Sequence, residues 1–128
     1  FDFPFDENLA LFTQRIYEQG GLIGAVCHGP IALTNVKTNT GEFLISGKEV
    51  AGFCNEEEEI MGLVAHLPVH EGLGNTCENV SKARGALYTK GGAWAPHIAV
   101  SDRVFTGQNP ASAAPVADAI VAFAESSQ

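Results

Sequence analysis

Apolar residues fall at Leu9, Phe12 and Ile16, three and four apart, among Glu7, Gln14, Arg15 and Glu18. That spacing predicts an amphipathic helix over 6–19, with Asp6 placed as its N-cap and Gly20-Gly21 as its stop. The run Leu22-Ile-Gly-Ala-Val26 is small and apolar throughout, which predicts a strand buried on both faces, as in a parallel sheet. Pro30 suits a first helical turn, so 31–36 reads as helix. Residues 42–46 and 49–53 read as a hairpin around Ser46-Gly47-Lys48. Asn55 opens an acidic helix that runs to Met61. Pro68, Gly72 and Gly74 interrupt the stretch after it, leaving a helix over 75–84. Residues 86–89 read as a strand, and 97–100 with 103–106 as a hairpin turning at Ser101-Asp102. A last helix over 112–125 has Val116, Ile120, Phe123 and Ala124 on one face. The order is α/β. A central strand at 22–26 needs a neighbour on each edge, and the chain offers few. The sheet therefore reads as incomplete.

Composition narrows the class. The chain of 128 residues bounds the count at one domain, and 45% hydrophobic with 17% charged residues supports a packed core rather than disorder. The formal net charge of −8 repels phosphate backbones, which argues against a nucleic-acid partner. No apolar run approaches the ~18 residues of a membrane span. No secretory signal is legible. Cys27, Cys54 and Cys77 form no C-x-x-C pair, against a disulfide framework or structural zinc. A reducing, cytoplasmic setting fits them. Residue 1 is Phe and the only Met is Met61, so the chain reads as processed or as a piece of something longer.

Chemistry concentrates in Gly24-Ala25-Val26-Cys27-His28-Gly29-Pro30. A strand enters a sharp turn, a cysteine sits at the turn, and a helix leaves it: the mechanics of a nucleophile elbow. Gly24 and Gly29 leave steric room, the helix start favours thiolate, and the His28 N–H is a natural oxyanion donor. A lone cysteine is more often an inert core residue; this setting favours a reactive Cys27. His28 is either a partner bonded to a carboxylate across the pocket or a packing histidine. The Asn55-Glu56-Glu57-Glu58-Glu59 run reads first as a helix start, with Asn55 as N-cap and Glu58 at the capping-box position, though one glutamate could orient His28. Cys54 and Cys77 read as structural. Trp94 and His97 either wall a pocket or pack in the core. His66 and His70 are four apart, but Pro68 spoils a helical metal pair.

Ala25-Val26-Cys27-His28-Gly29-Pro30 resembles the elbow of the ThiJ/PfpI superfamily, the class I glutamine amidotransferase-like fold. Phe1-Asp2-Phe3-Pro4, Gly52-Phe53-Cys54-Asn55-Glu56-Glu57-Glu58 and Thr106-Gly107-Gln108-Asn109-Pro110-Ala111-Ser112 agree in order. Together they resemble the branch holding glutathione-independent glyoxalase III and heat-inducible holding chaperones. The resemblance implies a flavodoxin-like three-layer sandwich with a mostly parallel sheet, of which residues 1–128 are the C-terminal part of one domain. It implies a Cys27–His28–acid triad. In this branch the acid lies six residues after the glycine of the Gly-Phe pair, which is Glu58. Gly29, Trp94 and His97 would line the substrate pocket, with no metal or organic cofactor. The family carries a long segment before Phe-Asp-Phe-Pro, with a glutamate that bonds the thiol and a loop giving a second oxyanion donor. That segment is expected as a separate chain. The partners implied are a small 2-oxoaldehyde such as methylglyoxal, the N-terminal segment, and a second copy in a homodimer. The implied activity is glyoxalase III-like. The alternatives are a holding chaperone or redox sensor, and a cysteine peptidase or amidase.

Overall fold

The computed structural model describes residues 3–67, 69–70 and 72–126. Phe1 and Asp2 of the opening motif, Pro68 and Glu71 lie outside the described residues. In chain order the elements are α1 (Glu7–Glu18), β1 (Ile23–Val26), β2 (Glu49–Val50), α2 (Asn55–Met61), α3 (Cys77–Ala83), β3 (Leu87–Tyr88), β4 (Ile98–Ser101), β5 (Val104–Gly107) and α4 (Ala113–Ser126). Short 3-10 segments lie between them, the longest at Gly29–Asn35.

Asp6 caps α1 as its position predicts, its Oδ1 accepting the Leu9 N–H at 3.0 Å. β1 pairs in parallel with β5, Ile23 opposite Val104 and Val26 opposite Gly107. β5 pairs antiparallel with β4 across a turn at Asp102, where φ is +53°. β2 and β3 form a separate parallel pair. Two of the three pairings among the described residues are thus parallel.

Alternation along β1 sorts its side chains between two layers. On one face Ile23 packs with Val104, Leu33, Val36, Leu44, Ile45 and Val50, and with Ile16 and Tyr17 of α1. On the other face α4 comes close. A Cβ on Gly24 would stand 2.7 Å from Ile120 Cδ1, and one on Gly107 2.9 Å from Val116 Cγ2. Gly24 thus serves helix–sheet contact rather than room at the elbow. The three layers are those of a flavodoxin-like α/β sandwich.

The sheet order is β1-β5-β4, so β1 has one partner among the described residues. Its other edge adjoins a trough of about 550 Å3 lined by Phe3, Leu9, Leu22, Ile23, Ala25 and Leu33 among others. The strand that reads as central stands here at an edge.

Three local expectations are corrected. The 42–46/49–53 hairpin does not form. Leu44 and Ile45 are fully buried in a tight turn, with Ser46 N–H on the Phe43 carbonyl and Lys48 N–H on that of Ile45. Val50 belongs to β2 and pairs with Tyr88 instead. The segment after Pro30 is 3-10 rather than α. Thr34 turns its hydroxyl back onto the Ile31 carbonyl at 2.7 Å, three residues away, and the Val36 N–H likewise bonds Leu33 O. Finally, α2 starts one residue earlier than its acidic run suggests, with Cys54 rather than Asn55 as N-cap.

Candidate active site

β1 ends directly at Cys27, whose φ is +59°. A non-glycine residue in the left-handed region costs about 1–3 kcal/mol and persists only where its surroundings fix it. Two backbone bonds do so. The Cys27 N–H donates to Gly107 O at 2.9 Å, and its carbonyl accepts the Phe53 N–H at 2.7 Å. The elbow is therefore tied to β5 on one side and to the Gly52-Phe53 turn on the other. That turn needs its glycine, because a Cβ on Gly52 would stand 2.6 Å from Cys77 Sγ.

Cys27 is part-buried, and its Sγ lies 3.8 Å from His28 Nδ1. His28 Nε2 bonds Glu58 Oε1 at 2.7 Å. The ring also stacks on Phe53, with centroids 4.3 Å apart. The Cys27 contact raises the His28 pKa most. Burial opposes it, Glu58 adds to it, and the outcome is about 9. That upward shift favours the imidazolium form. Glu58 is fully buried, and its Oε2 has no hydrogen-bond partner among the described residues. Beside this carboxylate lies a cavity of about 250 Å3 with Pro4, Ile31, Leu63 and Leu67 in its walls.

The capping role expected of Glu58 belongs to Glu57. Its Oε1 accepts the Cys54 N–H at 3.2 Å. With Cys54 as N-cap, Glu57 is the third helical residue and Glu58 turns inward to His28. The two duties do not compete for one side chain.

Trp94 stands near the cluster. Its indole meets Phe53 edge-on at 5.6 Å, on the ring that stacks on His28. Gly29 follows His28 at the elbow and lines the trough beside β1. His97 is engaged elsewhere. Its Nε2 bonds Thr89 Oγ1 at 2.9 Å and its N–H donates to Ser112 Oγ at 3.0 Å. None of its bonds reaches Cys27, His28 or Glu58. Cys54 and Cys77 are buried free thiols, and burial pushes Cys77 up to about 12. No group of three or more His, Cys, Asp or Glu side chains stands together as a metal site among the described residues. No described helix is long and apolar enough to cross a membrane.

The arrangement is chemically explicit. A cysteine at a strained turn faces an imidazole, and a buried carboxylate bonds that imidazole. Cysteine attacks carbon as thiolate, and an imidazolium beside it is the partner such a nucleophile uses. Phe53 is the one member of the cluster that sequence reasoning missed. The Gly-Phe pair was its only signal.

No family model matches the sequence. Curated relatives do. The chain is 35% identical to glyoxalase 3 of Candida albicans over 127 residues, covering 98% of this chain and 53% of that protein. It is 40% identical to the glutathione-independent glyoxalase HSP31 of Saccharomyces cerevisiae, covering 88% of this chain and 48% of that one. The chain spans about half the length of the curated relatives it matches. Among solved structures, glyoxalase III from Candida albicans superposes with a TM-score of 0.85 at 34% identity, over 94% of this chain and 51% of that one. A two-domain protein from Anabaena variabilis with a DJ-1/ThiJ/PfpI-like domain shares the fold, with a TM-score of 0.61 at 24% identity, over 97% of this chain and 26% of that one. The elbow, the folded layers and these relatives agree: the chain belongs to the ThiJ/PfpI superfamily, in the branch that holds the glutathione-independent glyoxalases.

Proposed function

We propose that the protein converts a small 2-oxoaldehyde such as methylglyoxal to a 2-hydroxy acid without glutathione, with Cys27 as nucleophile. The observation that carries this is the Cys27–His28–Glu58 geometry: 3.8 Å, then 2.7 Å, at a left-handed turn.

The Cys27 thiolate adds to the aldehyde carbon, forming a C–S bond. His28 delivers its proton to the new oxyanion, and the His28 N–H is an available donor to that oxygen. The product is a neutral hemithioacetal. The imidazole left behind is then free to take the proton from the same carbon. An enediolate forms, and the proton returns to the neighbouring carbon to give a 2-hydroxy thioester. Water cleaves the C–S bond, releasing the hydroxy acid and the thiol. Atoms balance as an internal redox shift plus one water. No external oxidant or reductant enters. In this reading Trp94, through its contact with Phe53, and Gly29, next to His28 at the elbow, are candidates for substrate contact.

The free edge of β1 and its apolar trough support a second element of the same reading. A complementary segment, of the kind that makes up the rest of the relatives' length, would complete the sheet along this edge. Three free cysteines suit a reducing compartment such as the cytoplasm.

The test is methylglyoxal turnover without glutathione, followed as loss of the aldehyde and appearance of lactate. The native mass of the same sample reports any bound segment. Cys27→Ala should abolish turnover. Turnover that survives Cys27→Ala would overturn the covalent route. Aggregation suppression without turnover in the intact assembly would favour a chaperone.

A further inference from the structure

Three fully buried polar side chains grip one surface loop. Gln108 Oε1 accepts the Gly91 N–H at 2.8 Å. Asn109 Nδ2 donates to Ala95 O at 2.6 Å and to Glu57 Oε2 at 2.9 Å. Glu57 Oε2 accepts the Trp94 N–H at 2.9 Å. All three are 0% exposed. Between these grips Trp94 holds a φ of +64°, a conformation that a bulky residue adopts only under constraint. Trp94 is 40% exposed, and its indole rests edge-on against Phe53. Phe53 in turn packs against the His28 ring, with centroids 4.3 Å apart and planes tilted by 38°.

From this geometry we infer that Glu57 is a positioning residue for His28, acting through the backbone of Trp94 and the edge-on contact of Trp94 with Phe53. Adjacent carboxylates of one short helix thus fix the same imidazole from two directions. Glu58 holds its edge at Nε2. Glu57 holds its face, at one remove, by fixing the loop that braces Phe53. The inference rests on reading Cys27, His28 and Glu58 as the reactive cluster. It does not depend on which carbonyl substrate they attack. Burial works against ionisation of Glu57, but its bonds from Asn109, Trp94 and Cys54 prevail and hold its pKa low. The anion is the form that accepts all three donors.

Glu57→Gln tests this in the protein as it assembles natively. The glutamine amide replaces one acceptor oxygen by a donor, which faces donors already in place. Trp94 is the only tryptophan of the chain, so 5-fluorotryptophan gives it one 19F resonance, assigned by its loss in Trp94→Phe. The second readout is the pH profile of Cys27 alkylation by iodoacetamide, which needs no 2-oxoaldehyde. Glu57→Gln should move the resonance and slow alkylation at neutral pH by up to about 10²-fold, the scale of a misplaced catalytic group. Trp94→Ala should slow it to a similar extent. The double variant should add little, since both act through one contact chain. Trp94→Phe should recover reactivity relative to Trp94→Ala.

A moved resonance with an unchanged alkylation profile would reduce Glu57 to a helix cap and overturn the inference. Additive effects in the double variant would do the same. Should Glu57→Gln fail to fold, Trp94→Ala against Trp94→Phe decides, and equal Cys27 reactivity in the two overturns it. Loss of methylglyoxal turnover with the alkylation effects intact would strike the proposed substrate and leave the positioning role standing.

Discussion

Replacing Glu58 by Gln isolates the charge that faces His28 Nε2. The shape is kept, and an amide oxygen can still accept from the ring. What is lost is the charge on a part-buried bond of 2.7 Å, whose carboxylate is fully buried and whose imidazole is partly exposed. A hydrogen bond to a charged group is worth about 1.5–3 kcal/mol, against about 1 for a neutral pair. The difference of about 1–2 kcal/mol corresponds to about one pH unit in the His28 midpoint. The midpoint should therefore fall from about 9 but stay above the ordinary 6.5, because the larger Cys27 contribution remains. Titration of the His28 ring protons by NMR measures this directly. Stability must follow by linkage. A raised folded pKa contributes stability that is fully present below 6.5 and is lost as pH rises through about 9. The gap between wild type and Glu58→Gln in urea unfolding should be widest below pH 6.5 and close above 9. An unmoved His28 midpoint, or a gap that widens toward alkaline pH, would refute the assignment of Glu58 as the orienting acid.

Two further outcomes arise from the same packing. Gly52→Ala forces a Cβ to within 2.6 Å of the buried Cys77 sulfur, and overpacking of this kind costs about 1–3 kcal/mol, read as a lower urea midpoint. Glu57 and Glu78 are both buried and both held low. For each, burial is outweighed by hydrogen bonds, those of Glu78 coming from Asn55, Lys82 and Lys90. A depressed folded pKa gives stability that is present above the ordinary carboxylate range and lost as pH falls through the folded value. Unfolding midpoints should thus drop on acidification, and Glu78→Gln should flatten that drop.

Much of the fold was legible because burial wrote it into the local pattern. The alternation of faces in Ile23-Gly-Ala-Val26 demands helices on both sides, and α1 and α4 supply them. The Ser101-Asp102 turn was visible because Asp tolerates positive φ, as the +53° at Asp102 requires. Leu44 and Ile45 misled for a physical reason. A short apolar run marks burial, but it does not say whether ladder bonds or a tight turn deliver it. The answer depends on Ala86 and Leu87, forty residues on, which no local window contains.

The geometry of the candidate site was legible at the Cys27–His28 turn, since the elbow is a local motif, and blurred by one residue at the carboxylate. Asn is a strong N-cap and Cys is a poor one, so local propensity selects Asn55 and puts Glu58 in the capping frame. Tertiary structure overrides that choice. Asn55 gives its N–H to the buried Glu78 and its side chain to Asn79. The helix therefore begins with Asn55 already inside it, which leaves Cys54 at the cap. That shift of one position turns Glu57 toward the loop at Trp94 and Glu58 toward His28. Glu78 lies on α3, so the frame of α2, and with it which glutamate reaches His28, is set by a contact between two helices. This predicts a coupling that local pattern cannot show. Glu78→Ala, far from the thiol in sequence, should slow Cys27 alkylation by loosening the start of α2, whereas Lys82→Ala, which removes one exposed partner of Glu78 and leaves the Asn55 bond, should barely change it.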